Sequence, residues 1–199
     1  SEITGISEPR MRTIYNPAYD PDIPNKSREP VEHEWLNDQD KNVVIGVGSL
    51  KLQKDFSTLL NAVERLENEE TYLIILGKGH LKEELVQQAT KLGIRDRVSF
   101  PGFVDNPYAY MANADVFVLS SAWEGFGNVI VEAMACGTPV ICTDCPGGPS
   151  EILEGGNFGP LVPVGDYEAM ADTIRDVLAN PPDPESLITR AQEYSIENI

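Results

Sequence analysis

Five short apolar runs recur along this chain, and most are followed by a stretch with helical spacing. The runs are Val43–Gly48, Tyr72–Leu76, Val98–Phe100, Val116–Leu119 and Val140–Thr143. A run that is apolar at nearly every position suits a strand buried on both faces, as in a parallel sheet. Between the first two, Phe56, Leu59, Leu60, Val63 and Leu66 fall on one face of a helix. Leu81–Leu92 forms a second helix, stopped by Gly93. Pro107–Ala114 and Val129–Ala135 give two more, and Asp166 caps another over Tyr167–Leu178. Leu161–Val164 reads as a sixth strand, and Pro163 puts it at an edge. Alternation of this kind predicts an α/β fold: a Rossmann-like, doubly wound parallel sheet of about six strands, with right-handed crossovers.

In such a sheet ligands bind beyond the carboxyl ends of the strands. The distinctive loops all follow strands: Gly48–Phe56, Gly77–Gly79, Pro101–Asp105, Ser120–Asn128 and Asp144–Ser150. They therefore open on one rim. The most informative is Glu124-Gly-Phe-Gly-Asn-Val-Ile-Val-Glu132, where a strand meets a helix through a glycine-bearing turn. The first N–H groups of a helix lack intrahelical partners and carry partial positive charge. Gly125 and Gly127 let a phosphate approach them. Glu124 and Glu132 flank the turn, and Glu132 shares a helix face with Asn128. Anion-binding backbone between two hydroxyl acceptors suits a sugar joined to a nucleotide diphosphate. Read in isolation, either carboxylate is more often a solvated group.

Fifteen basic residues against 32 acidic ones give a net charge of −17. That argues against nucleic acid and against docking on an anionic membrane. No apolar run approaches the length of a membrane span, and no signal pattern opens the chain, so a cytoplasmic location is expected. The three cysteines, Cys136, Cys142 and Cys145, point to reduced thiols. Cys142 and Cys145 form a C-x-x-C pair, but His33 and His80 lie far off in sequence, so packed thiols are preferred over a metal site.

Residues 1–40 show no strong periodicity and read as a linker from a preceding domain. A strand over Met11–Tyr15 is possible, and Val31–Trp35 fits either a short helix or a loop. Residues 41–180 read as the main domain. Residues 181–199 read as the start of a last helix, running from near Glu185 to the end of the chain.

Taken in order, Ile14-Tyr-Asn-Pro17, Lys54-Asp-Phe56, Gly77-Lys-Gly79, Arg97–Gly102, Ala114–Leu119, Glu124–Ala135, Gly137-Thr-Pro-Val140 and Leu161–Asp166 resemble one known family. It is the donor-binding, C-terminal domain of retaining glycosyltransferases of group 1 (family 4 type, E-x7-E motif), one half of the two-domain GT-B fold. The resemblance implies a nucleotide-diphosphate-sugar donor and no obligatory metal. It implies a glycan or lipid-linked acceptor held by a separate N-terminal domain, and no membrane insertion. It also implies roles. Lys54 would meet the diphosphate, with Gly48, Ser49 and Gly77 beside it. The N–H groups of Gly127, Asn128 and Val129, in the turn with Gly125 and Phe126, would receive the phosphates. Glu132 would hold the ribose, Glu124 the transferred sugar near the reacting carbon, and Phe103 and Val104 would border the base. Glu124 and Lys54 would be the catalytic pair. Ser49 departs from the family pattern, which places arginine there, and nearby Lys51 cannot reproduce an arginine fork. The stretch Asp144–Leu153 resembles members that use UDP-linked hexoses or N-acetylhexosamines. An epimerase on the same plan and a non-catalytic nucleotide-sugar-binding domain are the alternatives.

Overall fold

The computed structural model describes residues 15–66 and 70–199. The strands are β1 (Asn42–Val47), β2 (Thr71–Leu76), β3 (Val98–Gly102), β4 (Val116–Leu119), β5 (Val140–Thr143) and β6 (Leu161–Val162). They form one six-stranded sheet in the order β3-β2-β1-β4-β5-β6, and every pairing is parallel. This is the expected Rossmann-like sheet, with β6 at one edge. The β6 strand ends at Val162, before Pro163, which has no N–H to offer a ladder.

The side-chain alternation of the strands builds two cores. Val44, Leu73, Ile75, Val116, Val118 and Ile141 point to one face. There they meet α2 (Phe56–Arg65), α3 (Lys82–Lys91) and α7 (Tyr167–Ala179). Val43, Ile45, Ile74, Leu76, Phe117 and Leu119 point to the other, toward α4 (Pro107–Ala112), α5 (Asn128–Ala135), the short α6 (Pro149–Ile152) and α8 (Pro184–Gln192). All five predicted apolar positions of α2 are buried. Full burial of each such side chain contributes roughly 1.5–3 kcal/mol.

The N-terminal stretch differs from a bare linker. It holds a short α1 (Ile23–Lys26), and Ala18, Ile23 and Trp35 are buried in the same core as α5. Residues 34–37 form a turn, which settles Val31–Trp35 as a loop. The suggested strand over Met11–Tyr15 falls almost wholly outside the described residues, and Tyr15 itself is irregular. The last helix also differs from expectation. It stops at Gln192 and is followed by turns, and Leu187 and Ala191 are buried with α5. No helix among the described residues is long and apolar enough to cross a membrane.

Candidate active site

Strand order reverses between β1 and β4. The chain leaves β1 for α2 on one face and leaves β4 for α5 on the other, so the loops after these two strands part and leave a crevice. Lys54 stands in the first loop and Glu124 in the second. Seventy positions apart in sequence, they meet: Lys54 Nζ donates to Glu124 Oε1 at 2.6 Å. The two side chains are only 14% and 7% exposed. Ser121 Oγ donates to the same Oε1 at 2.6 Å. No described residue donates to Oε2, and that atom is not sealed from solvent.

The two loops are stitched together. Ala122 N–H donates to the Gln53 carbonyl at 2.8 Å, Gln53 Nε2 to the Trp123 carbonyl at 3.0 Å, and Ser120 Oγ to the Lys54 carbonyl at 2.7 Å. Asp55 takes the left-handed conformation (φ 41°) and caps α2, accepting from Thr58 N–H and Thr58 Oγ1. The loop after β5 supports the floor. Glu124 N–H donates to the Pro146 carbonyl at 2.9 Å, and a Cβ on Gly148 would lie 2.0 Å from the Phe126 carbonyl oxygen.

Gly127 is the N-cap of α5 at φ 94°, a conformation that favours glycine. The N–H groups of Gly127, Asn128 and Val129 find no acceptor among the described residues. Gly125 lies in the open, with nothing within 4 Å of where its Cβ would be. Phe126 packs on Tyr15 and Tyr194, with ring centroids 6.1 and 5.6 Å apart. Asn128 accepts from Asn16 Nδ2 at 3.4 Å.

The Glu132 carboxylate makes no hydrogen bond or ion pair with any described residue. Burial raises its carboxyl above the usual range, the charge of Asp20 raises it further, and Lys54 pulls it partly back. Tyr108, half-buried and close to Glu132, is pushed up to about 12 by desolvation first and by that carboxylate second. A carboxyl this desolvated and unpartnered gains from any hydroxyl that enters.

Beside this cluster lies a cavity of about 340 Å³, bounded by Gly48, Ser49, Gly77, Phe103, Val104, Pro107 and the stem of Lys78. Gly77 makes it possible: at φ 139° its Cβ would fall 1.9 Å from the Gly48 carbonyl oxygen. Phe103 is 64% exposed and Lys78 Nζ stands 5.5 Å from its ring centre. Lys78 is itself exposed, so its ammonium stays in solvent above the ring. The predicted residues thus divide between the crevice (Lys54, Glu124, Gly127, Asn128, Val129, Glu132) and the adjoining cavity (Gly48, Ser49, Gly77, Phe103, Val104). Trp123, 51% exposed, does not line the cavity.

Sequence reasoning missed three neighbours. Ser121 sits three positions before Glu124, a spacing at which a hydroxyl can bind a side chain across a turn, and that signal was available. Asp20 and Tyr108 reach Glu132 only through tertiary folding. The thiols of Cys142 and Cys145 are free and pushed up by burial, which keeps them protonated and packed. Among the described residues no group of three or more His, Cys, Asp or Glu side chains could hold a metal ion.

Comparison with known proteins agrees with the fold. The chain is 34% identical over 173 residues to the Campylobacter jejuni N-acetylgalactosamine-N,N'-diacetylbacillosaminyl-diphospho-undecaprenol 4-alpha-N-acetylgalactosaminyltransferase, covering 87% of this chain and 46% of that protein. It is 39% identical over 160 residues to the Rhizobium meliloti lipopolysaccharide core biosynthesis glycosyltransferase LpsE, covering 80% and 45%. The chain thus spans about half the length of these curated relatives. Among solved structures, the lipopolysaccharide outer core galactosyltransferase WaaB superposes with a TM-score of 0.79 at 25% identity, over 98% of this chain and 54% of that one. Anabaena HepE in complex with UDP and glucose superposes with a TM-score of 0.73 at 28% identity, over 92% and 51%. The family model described as glycosyl transferases group 1 matches residues 27–194. With the switch-point crevice in place and the match spanning nearly all of the described fold, the chain belongs to the glycosyl transferases group 1 family.

Proposed function

We propose that this chain is the donor-binding half of a retaining GT-B glycosyltransferase. It moves a hexose or N-acetylhexosamine from a nucleotide diphosphate sugar, with UDP as the favoured carrier, to a glycan or lipid-linked acceptor. Residues 41–180 hold the donor, residues 1–40 lead in from an acceptor-binding domain, and residues 181–199 lead back toward it. The observation that carries the reading is the meeting of Lys54 and Glu124 at the switch point, next to the unpaired N–H groups of α5.

In this reading the base enters the cavity by Phe103 and Val104, and the ribose hydroxyls donate to Glu132. The diphosphate lies on the α5 N-terminus, within reach of Lys54. The acceptor's hydroxyl oxygen bonds to the anomeric carbon as the bond from that carbon to the diphosphate oxygen breaks; negative charge grows on the departing oxygen, and the diphosphate takes up the hydroxyl's proton. Fixed N–H dipoles and the Lys54 ammonium stabilise that charge more than they stabilise the ground state. Glu124 accepts a hydroxyl of the transferred sugar and fixes its position relative to the acceptor. UDP is favoured because the Asp144–Leu153 loop resembles that of UDP-sugar enzymes, and because HepE was crystallised with UDP and glucose.

Calorimetric titration of the full-length chain with UDP, GDP and ADP tests this. One nucleotide should bind, Glu132→Ala should weaken it, and a metal chelator should leave it unchanged. A folded chain that binds none of the three refutes the donor-site reading.

A further inference from the structure

Glu124 Oε1 is shared by two donors of different character. Lys54 Nζ reaches it from a flexible stem in another loop, whereas Ser121 Oγ reaches it from a side chain with no exposure at all. Ser121 is itself held. Its carbonyl accepts from Thr143 Oγ1 at 2.5 Å, and Thr143 is fully buried on β5. Its neighbour Ser120 ties the backbone of Lys54 to the same strand end.

This arrangement matters once an anion arrives. A diphosphate on the α5 N-terminus offers Lys54 two or more charges in place of one, and the ammonium can turn toward it. Glu124 has three rotatable bonds and would then lose its ionic partner. The Ser121 hydroxyl needs no movement and can keep Oε1 where it is, which leaves Oε2 aimed at the crevice for a sugar hydroxyl. We infer that Ser121 is a positioning residue that holds Glu124 while Lys54 exchanges that carboxylate for an anionic donor. The inference rests on the donor-site reading above and adds a residue which that reading does not use.

Affinity for the nucleotide and for its sugar conjugates separates the two ideas. The full-length chain is titrated with the nucleotide that binds and with its glucose, galactose, N-acetylglucosamine and N-acetylgalactosamine conjugates. One conjugate should bind more tightly than the bare nucleotide. Ser121→Ala should leave the nucleotide within about twofold and erase about tenfold of the sugar's advantage, the size expected for a hydrogen bond to a charged group. Thr143→Val removes one support of the Ser121 backbone but leaves the hydroxyl in place, and should lose less of that advantage than Ser121→Ala. Should Ser121→Ala fail to fold, Ser121→Cys keeps the volume with a weaker donor and should show part of the same loss. Equal loss for nucleotide and conjugate, or the same effect from Thr143→Val, overturns the positioning role. So does a wild-type chain that gains nothing from any of the four sugars. Binding of no nucleotide at all instead refutes the donor site itself.

Discussion

Glu132→Gln should stabilise this protein and impair it at once. The carboxyl is desolvated, without a hydrogen bond, and faces the negative charge of Asp20, with only Lys54 in opposition. Its folded pKa is raised above the unfolded value. Between those two values the native state holds more protons than the unfolded chain, so stability falls as pH rises. The penalty is complete above the folded pKa and absent below the unfolded value of about 4.3. A neutral amide of nearly the same shape removes it. The Glu132 oxygens still touch solvent, so the cost of the charge stays below the roughly 1–3 kcal/mol of a sealed, unsatisfied group. The gain at pH 7.5 should therefore be at most about 1 kcal/mol, or roughly 2–4 °C in Tm for a chain of this size. Binding moves the other way. Weakening the acceptor for two ribose hydroxyls should cost about 2 kcal/mol, some 30-fold in Kd. Calorimetric melts of both proteins from pH 4 to 8, read as a difference, test the first part, and nucleotide titration tests the second. A substitution that lowers Tm at pH 7.5, or a gain that persists unchanged at pH 4, would show that Glu132 is not an unpartnered, desolvated carboxyl.

Other substitutions probe the supports of the site. Lys54→Met strands a carboxylate that is only 7% exposed. It should destabilise the chain by about 1–3 kcal/mol, and most of that loss should be recovered in Lys54→Met/Glu124→Gln, measured as a double-mutant cycle in urea. Gly148→Ala sets a methyl 2.0 Å from the Phe126 carbonyl oxygen. More than about 2 kcal/mol of stability should be lost, and nucleotide affinity should fall with it as the Gly127 turn shifts. Arg190 is 8% exposed and donates to the Ile152 and Glu151 carbonyls and to Tyr194 Oη. Arg190→Met orphans all three acceptors and should lower stability by about 2–4 kcal/mol in a denaturant titration, with little change in nucleotide affinity.

The sheet was legible in the sequence because its signal is local. Val43–Val47 and Val116–Leu119 are apolar at almost every position, and only a strand covered on both sides tolerates that. The capping of α7 by Asp166 could be read for the same reason, since the bond to Ala169 N–H spans three residues. The N-terminal stretch was read as a linker because Ala18, Ile23 and Trp35 follow no period. Each joins the core on the α5 side of the sheet, and irregular chain that packs residue by residue carries no pattern to detect. The last helix was extended too far because nothing in Gln192–Ile199 resembles the usual glycine or proline stop, and turns end it instead. In the site, each half of the Lys54–Glu124 pair could be named from its motif. That they bond each other, and through the same oxygen as Ser121, depends on a strand order that the sequence does not spell out.

That pairing bears on how a chain with a net charge of −17 can receive an anion at all. The overall field opposes a nucleotide diphosphate, so attraction has to be local. Without ligand, Lys54 in the crevice is already neutralised by Glu124, and the first backbone N–H groups of α5 find no acceptor among the described residues. First contact should therefore depend on the helix end, a dipole that added salt weakens but does not remove. Lys54 contributes only after it leaves Glu124, so its charge strengthens a complex that has already formed. Raising the ionic strength should then help the encounter by damping the long-range repulsion, while costing little once the donor is seated in a crevice whose charges are mostly buried. Stopped-flow association of the binding nucleotide would show k_on rising with salt. A fall in k_on would place the attracting cation out in solvent, where Lys78 and Lys51 stand, rather than in the crevice.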